Sequence, residues 1–244
     1  YVNTKAEEEL SLRFYKPKSA EKTSAGLIYV HGGGMIMGNL DSHDEFLRTM
    51  ATNLCIPVAS VDYRKAPEHP YPAAPNDCYS AVCWVFDNAE KLGMEPQNIG
   101  LMGASAGGGL ALATALMLRD RDGPRLQYII SLYPMIDDRH TTPSSKQIVD
   151  IGVWDREGSI EAWDWYLSNA EPDGYAAPTR ALDLRDLPKT YMDVGELDLF
   201  RDEDLLFAQR LAQAGVSIEF HIWPGAYHCS EFFAPDAALS KQIW

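Results

Sequence analysis

Short apolar runs alternate with helix-like stretches along this chain, and glycine or proline stands at most of the junctions. Leu10–Pro17 (LSLRFYKP) alternates apolar and polar residues and stops at proline, which reads as an early strand. Gly26–Gly34 (GLIYVHGGG) and Ile56–Arg64 (IPVASVDYR) are apolar, partly β-branched runs of strand length. A proline-rich loop (APEHPYPAAPNDC) follows, then a helical stretch around Tyr79 to Lys91. NIGLMG reads as a strand, and AGGGLALATALMLRDRDGP as a helix with Arg119 near its end and a Gly123-Pro124 stop. YIISLYP (strand), SIEAWDWYLSNA (helix) and PKTYMDVGELD (strand) continue the series. RDEDLLFAQRLAQAG carries Leu205, Leu206, Gln209 and Leu211 at helical spacing and stops at Gly215. In SIEFHIWPG, Ile218, Phe220 and Ile222 share one face. Strands alternating with helices predict an α/β class with a mostly parallel central sheet flanked by helices. No internal repeat or low-complexity linker interrupts the series, so residues 1–244 read as a single domain.

One stretch carries a second reading. Residues Gln97 to Leu118 are free of charge and long enough to suggest a membrane helix. Five glycines between Gly100 and Gly109 fit a strand, a turn and a packed helix better than a lipid-facing span. No membrane partner is expected.

Composition narrows the function. A formal charge of −14 over 244 residues argues against nucleic acid, which requires a basic footprint. A hydrophobic content of 46% supplies a real core. The longest block of like charge, Glu7-Glu8-Glu9, reads as a solvated face. Cys55, Cys78, Cys83 and Cys229 show no C-x-x-C spacing and read as reduced, mostly buried thiols. With no basic segment followed by an apolar run at the start, no secretory signal is read, and a cytoplasmic location is expected. Asp137–His140 (DDRH) and Asp120–Gly123 (DRDG) lack the spacing of a zinc or calcium site, so neither metal nor cofactor is expected.

Three strand ends carry chemistry. Gly103-Ala104-Ser105-Ala106-Gly107 places a serine between a strand and a helix, on a turn whose glycines avoid collisions and whose helix aims amides at negative charge. His31–Gly38 (HGGGMIMG) follows another strand, and its consecutive glycines leave N–H groups unshielded to converge on an oxyanion. GELDLFRDED and PGAYHCSE put Asp198 and His228 just past two further strands. A serine hydroxyl needs a base to take its proton, and the base needs an acid to hold its tautomer. The chain order Ser105, Asp198, His228 is that of α/β-hydrolases. Of six histidines, only His228 follows the last strand in a short loop, whereas His31 more simply braces the glycine turn. Spacing alone does not separate Glu196 from Asp198, with Asp202 also near.

The chain resembles the hormone-sensitive-lipase-like esterases of the α/β-hydrolase superfamily. YVHGGGMIMGNLDSHD, ASVDYRKAPEHPYPAAPNDC, GASAGG, YPMIDDR, DLRDLPKTYMDVGELDLFRDED and WPGAYH occur in family order over nearly the whole length. The resemblance implies Ser105 as nucleophile, Asp198 as acid and His228 as base, with Glu196 at a non-catalytic position. It implies oxyanion donors in the backbone N–H groups of Gly33, Gly34 and Ala106, with Gly32 less well placed. It implies hydrolysis of short-chain acyl esters without metal or cofactor. Ala104 and Cys229 stand where an acidic residue and a glycine are usual in the family. Little chain precedes His31, so the N-terminal cap of the family is expected to be reduced or absent. Cover would come from a small cap-like segment, residues 139–180, mainly its part from Asp155 to Tyr175. Met35, Trp163 and Leu199 are pocket candidates, with a core role equally open for Trp163.

The expected reaction is attack of Ser105 on an ester carbonyl, with loss of activity below a pH of roughly 6–7 for an ordinary imidazole. Two alternatives share the frame: an amidase or peptidase with the same triad, and a non-catalytic ligand-binding protein. Retention of His228 speaks against the second. The partner is a small-molecule ester, and an exposed edge strand would give a homodimer a route.

Overall fold

The computed structural model describes residues 10–17 and 25–243. The block Glu7-Glu8-Glu9 lies outside them. In chain order the elements are β1 (Ser11–Tyr15), β2 (Gly26–Val30), α1 (Asp44–Leu54), β3 (Val58–Asp62), α2 (Ala73–Asp87), α3 (Ala89–Leu92), β4 (Ile99–Ala104), α4 (Ala106–Asp120), β5 (Tyr128–Leu132), α5 (Pro143–Gln147), α6 (Arg156–Leu167), β6 (Lys189–Leu197), α7 (Arg201–Gln213), β7 (Ile218–Tyr227), α8 (Ser230–Phe233) and α9 (Ser240–Ile243). The strands form one sheet in the order β1-β3-β2-β4-β5-β6-β7. Only β1 runs antiparallel, pairing Ser11 with Asp62 of β3. This is the mostly parallel, helix-flanked sheet that the alternation of elements predicts, and it has the architecture implied by the resemblance to the α/β-hydrolases.

Burial explains the sheet's centre. Every residue of β2 and of β4 is buried, as expected of parallel strands covered on both faces. Helix α4 is buried from Ala106 to Leu118. A helix apolar all round belongs inside a protein or a membrane, and here it lies against β4, β5 and α2. The uncharged run is therefore a core strand and a core helix. Among the described residues, no helix is long and apolar enough to cross a membrane.

Three expectations need correction. Helix α1 is missing from the elements read above, although Phe46, Leu47, Met50 and Ala51 recur at helical spacing and are buried or packed against the core. Helix α2 begins at Ala73 and not near Tyr79. Pro75 sits in its first turn, where a backbone N–H has no intrahelical acceptor to lose. The thiols are all free, but only Cys78 is buried, and Cys55 is exposed at the left-handed end of α1.

The start of α4 is packed backbone on backbone. A Cβ at Gly107 would lie 2.1 Å from the Val30 carbonyl oxygen and 2.5 Å from that of His31. One at Gly103 would lie 2.1 Å from the Gly107 carbonyl oxygen. Gly107→Ala is expected to lower stability by about 1–3 kcal/mol, the usual cost of forcing an extra group into a packed interior. The measurement is the urea midpoint at constant m-value. A variant as stable as the parent would mean that α4 can slide away from β2.

Candidate active site

Each candidate side chain sits just beyond the carboxyl end of a strand. His31 and the glycines follow β2, Ser105 follows β4, Asp198 follows β6 and His228 follows β7. Ser105 has φ 56° and ψ −122°, a conformation rare for a residue with a side chain and costing on the order of 1–3 kcal/mol. Three backbone hydrogen bonds hold it there. Its N–H donates to Leu132 O (2.9 Å), and its carbonyl accepts from Gly109 N (3.1 Å) and Met135 N (3.0 Å).

The acid and the histidine meet through an irregular register. Asp193 pairs with His221 and Gly195 with Trp223, yet Leu197 pairs with Tyr227. Strand β7 therefore bulges between Trp223 and Tyr227, bringing Asp198 and His228 side by side. Glu196 pins the bulge, its Oε2 accepting from Gly225 N at 2.9 Å. A Cβ at Gly195 would lie 2.4 Å from the Ala226 carbonyl oxygen, so only glycine leaves room for the bulged strand.

His228 Nδ1 lies 2.7 Å from Asp198 Oδ2 and its Nε2 lies 2.9 Å from Ser105 Oγ. The second oxygen of Asp198 accepts from Phe200 N at 3.0 Å. All three side chains are buried. The other acids are engaged elsewhere: Glu196 at the bulge, Asp202 on Ser144 N (2.7 Å) and Asp193 on Trp223 Nε1 (3.0 Å) and Tyr191 (3.1 Å). Burial pushes Asp193 up to about 6. Burial opposes charge on His228, but the carboxylate of Asp198 and the neighbouring Cys229 outweigh it, so the imidazolium is favoured well above the usual histidine range.

The glycine turn faces this relay. Gly33 and Gly34 have φ of 110° and 61°, and Gly33 O accepts from Ile36 N and Met37 N. Among the described residues, the amides of Gly33, Gly34 and Ala106 have no backbone acceptor. His31 braces the turn: its Nδ1 donates to Gly32 O at 2.7 Å and its ring stacks on Tyr63. Burial lowers His31 to about 4, keeping it neutral.

A cavity of about 390 Å³ opens over Ser105 and His228, walled by Met37, His43, Val153, Trp154, Phe232 and Phe233 among others. The three pocket candidates do not line it. Met35 and Leu199 are buried in the core, and Trp163 packs edge-on against Tyr166 on the inner face of α6. From residues 139–180, Val153 and Trp154 reach the cavity wall, just ahead of the stretch expected to provide the cover. Trp154 closes over the glycine turn, where a Cβ on Gly34 would lie 2.4 Å from its ring. The aromatic pair Phe232-Phe233, four and five residues after His228, and Trp154, two residues before α6, were the available sequence signals. Asp137, Asp138 and His140 are used structurally, pairing with Arg139 (2.7 Å), Arg180 (2.6 Å) and Ser159 (2.8 Å).

Residues 27–232 match the family model for the alpha/beta hydrolase fold. The chain belongs to this family. Within the α/β-hydrolases it is 35% identical over 226 residues to carboxylesterase NlhH of Mycobacterium tuberculosis, covering 90% of this chain and 70% of that protein. It is 32% identical over 248 residues to ethyl acetate hydrolase of Pseudomonas putida, covering 93% of this chain and 73% of that protein. The structure of a bacterial heroin esterase superposes with a TM-score of 0.92 at 40% identity, over 96% of this chain and 76% of that one. Like these hormone-sensitive-lipase-like esterases, the chain is a carboxylic ester hydrolase.

The two acids offered by the GELDLF segment separate by mutation. Asp198→Asn is expected to lower kcat by roughly 10⁴-fold, as loss of the tautomer-holding acid does in serine hydrolases. Glu196→Gln, whose amide oxygen still accepts from Gly225, is expected to stay within a few-fold of the parent. Steady-state rates of the two purified variants decide it; equal losses would remove the assignment of Asp198.

Proposed function

We propose that this α/β-hydrolase is a serine carboxylesterase that cleaves short-chain acyl esters through an acyl-enzyme on Ser105. The observation that carries the reading is the continuous relay from Ser105 Oγ through His228 to Asp198, at 2.9 and 2.7 Å, on the floor of an apolar cavity. His228 Nε2 takes the hydroxyl proton as Ser105 Oγ attacks the ester carbonyl carbon. Asp198 holds Nδ1–H and stabilises the imidazolium. The carbonyl oxygen, now an anion, is received by the N–H groups of Gly33, Gly34 and Ala106, each such donor being worth about 2.7–4 kcal/mol. His228 then protonates the leaving alcohol, and water attacks the acyl-enzyme by the reverse path.

The cavity supports the substrate class. Its walls are largely apolar, with polar groups at Ser105, His228 and the glycine turn and a second set at Ser42 and His43. A volume of about 390 Å³ is small, at the lower end of ligand pockets. Residues 139–180 act as a small cover, a reading supported by Trp154 over the glycine turn and by the ion pair that ties Arg180 to Asp138. The physiological partner is then a small ester. Pairing of two copies through the edge strand β7 is supported by its exposed Ile222, and a cytoplasmic location by four free cysteines.

Hydrolysis of p-nitrophenyl butyrate by the purified chain, beside Ser105→Ala, tests the reading. Activity is expected in the parent and at most a trace in the variant, with rates falling from butyrate to octanoate. A fully active variant would mean another nucleophile. A matched anilide cleaved as fast as the ester would favour the amidase alternative.

The acid limb of kcat/KM follows from the charge balance at His228. The base must be neutral to act, and Asp198 favours its protonated form. Activity is therefore lost on acidification at a pH above the ordinary imidazole value of about 6.5. A midpoint at or below pH 6 would mean that burial outweighs the carboxylate.

A further inference from the structure

We propose that Glu231, acting through Tyr133, is a positioning residue for His228: it clamps the imidazole between the segment after β5, which holds Ser105, and the loop after β7. The inference rests on the assignment of His228 as the base.

Tyr133 directly follows β5, and its neighbours on either side hold Ser105: Leu132 O accepts from Ser105 N, and Met135 N donates to Ser105 O. Tyr133 itself has φ 32°, a strained value for a bulky residue, and its N–H donates to Asp193 O at 2.7 Å. Its ring meets the His228 imidazole edge-on at 5.0 Å, while Phe200 meets it edge-on at 5.3 Å. The imidazole therefore has an aromatic wall from the nucleophile side and another from the acid side.

The Tyr133 wall is tethered. Its hydroxyl donates to Glu231 Oε1 at 2.5 Å, the length of a charge-assisted bond to a carboxylate. Glu231 is only 3% exposed, although glutamate is rarely buried without a partner. It lies in α8, in the same loop as His228. One bond thus ties the segment that shapes Ser105 to the segment that carries the base.

The groups facing Glu231 come from four elements. They are Tyr29 on β2, Tyr133 after β5, Asp193 on β6, and His228 with Cys229 after β7. Burial and Asp193 hold the Glu231 carboxyl above the usual glutamate range, against the Tyr133 bond and the charge of His228, which lower it. As a carboxylate, Glu231 adds to the field of Asp198 that favours the imidazolium. Removing its charge while keeping its shape should then release the proton from His228 more easily.

Two variants test this in the intact chain. Glu231→Gln keeps an acceptor for Tyr133 and removes the charge; the acid limb of kcat/KM is expected to move down by about half a unit to one unit. The low-field Nδ1 proton of His228 in the ¹H NMR spectrum should titrate with the same shift. Tyr133→Phe keeps the ring and cuts the tether; kcat is expected to fall about tenfold, the scale of one lost hydrogen bond, with KM within twofold. Purely structural roles would lower the melting temperature while leaving the limb, the proton resonance and the rate per titrated active site unmoved. That result overturns the proposal. Should Ser105→Ala prove fully active, the nucleophile assignment fails by itself, and the NMR titration of Glu231→Gln still decides whether Glu231 governs His228.

Discussion

The site depends on a contact between two backbones. Where β4 turns into α4, the chain passes so close to β2 and to itself that side chains at positions 103 and 107 have no room. That proximity forces Ser105 into a left-handed conformation, lifts its hydroxyl off the sheet and brings the free amide of Ala106 alongside the glycine turn after β2. The strain of the turn is offset by hydrogen bonds with the segment at the end of β5: Ser105 N–H donates to Leu132 O, and Met135 N–H donates to Ser105 O. Rigidity here has a chemical use, because donors already in place need no reorganisation when charge develops on the substrate.

The other half of the relay is set by an irregularity. In a regular parallel pair, β6 and β7 would advance together, and the residue beside Asp198 would be Ala226, two short of His228. The bulge takes up the difference in length, and Gly195, Gly225 and Glu196 make it fit: one leaves space, one adopts φ 78°, and one accepts the bulge's N–H. Glu196, a competitor for the acid role on spacing alone, thus serves the site by holding the register that excludes it. Edges and site-proximal strands are where such bulges re-aim side chains.

How far the sequence reached follows from which interactions are local. Buried parallel strands show as continuous apolar runs, and the strand–glycine–helix punctuation around Ser105 is a local pattern, so β2, β4, α4 and the three strand-end motifs were legible. Helix α1 carries a local signal of the same kind, Phe46, Leu47, Met50, Ala51 and Leu54 at helical spacing, whereas its start is held by long-range bonds from Arg13 and Tyr15 to Asp44 that no local pattern reports. The cavity wall depends on where the path of the chain carries each aromatic residue, and of the two roles open to Trp163 the structure takes the core one. Trp163 lies on a helix and looked available, but Ala162, Trp163 and Tyr166 form that helix's inward face. Trp154 precedes the helix and comes over Gly34 only through the path of the chain between them, which no periodicity reports.

Anchoring the 139–180 segment and keeping the relay dry are linked problems. The segment carries three arginines, and each finds a fixed acceptor: the half-buried Arg180 on Asp138, the exposed Arg139 on Asp137, and the half-buried Arg156 on the carbonyls of His140 and Ser145. Charges paired this way at the base of the segment leave its other end free to present Val153 and Trp154 to the cavity. Below them the imidazole is walled by Tyr133 and Phe200, so Asp198 lies away from water while Ser105 and His228 still open to the cavity. Excluding water strengthens the attraction between carboxylate and imidazolium, but it also raises the cost of any polar group left unpaired. The hydrogen bonds to both oxygens of Asp198 meet that cost, which is why the acid can be fully buried and still orient the base.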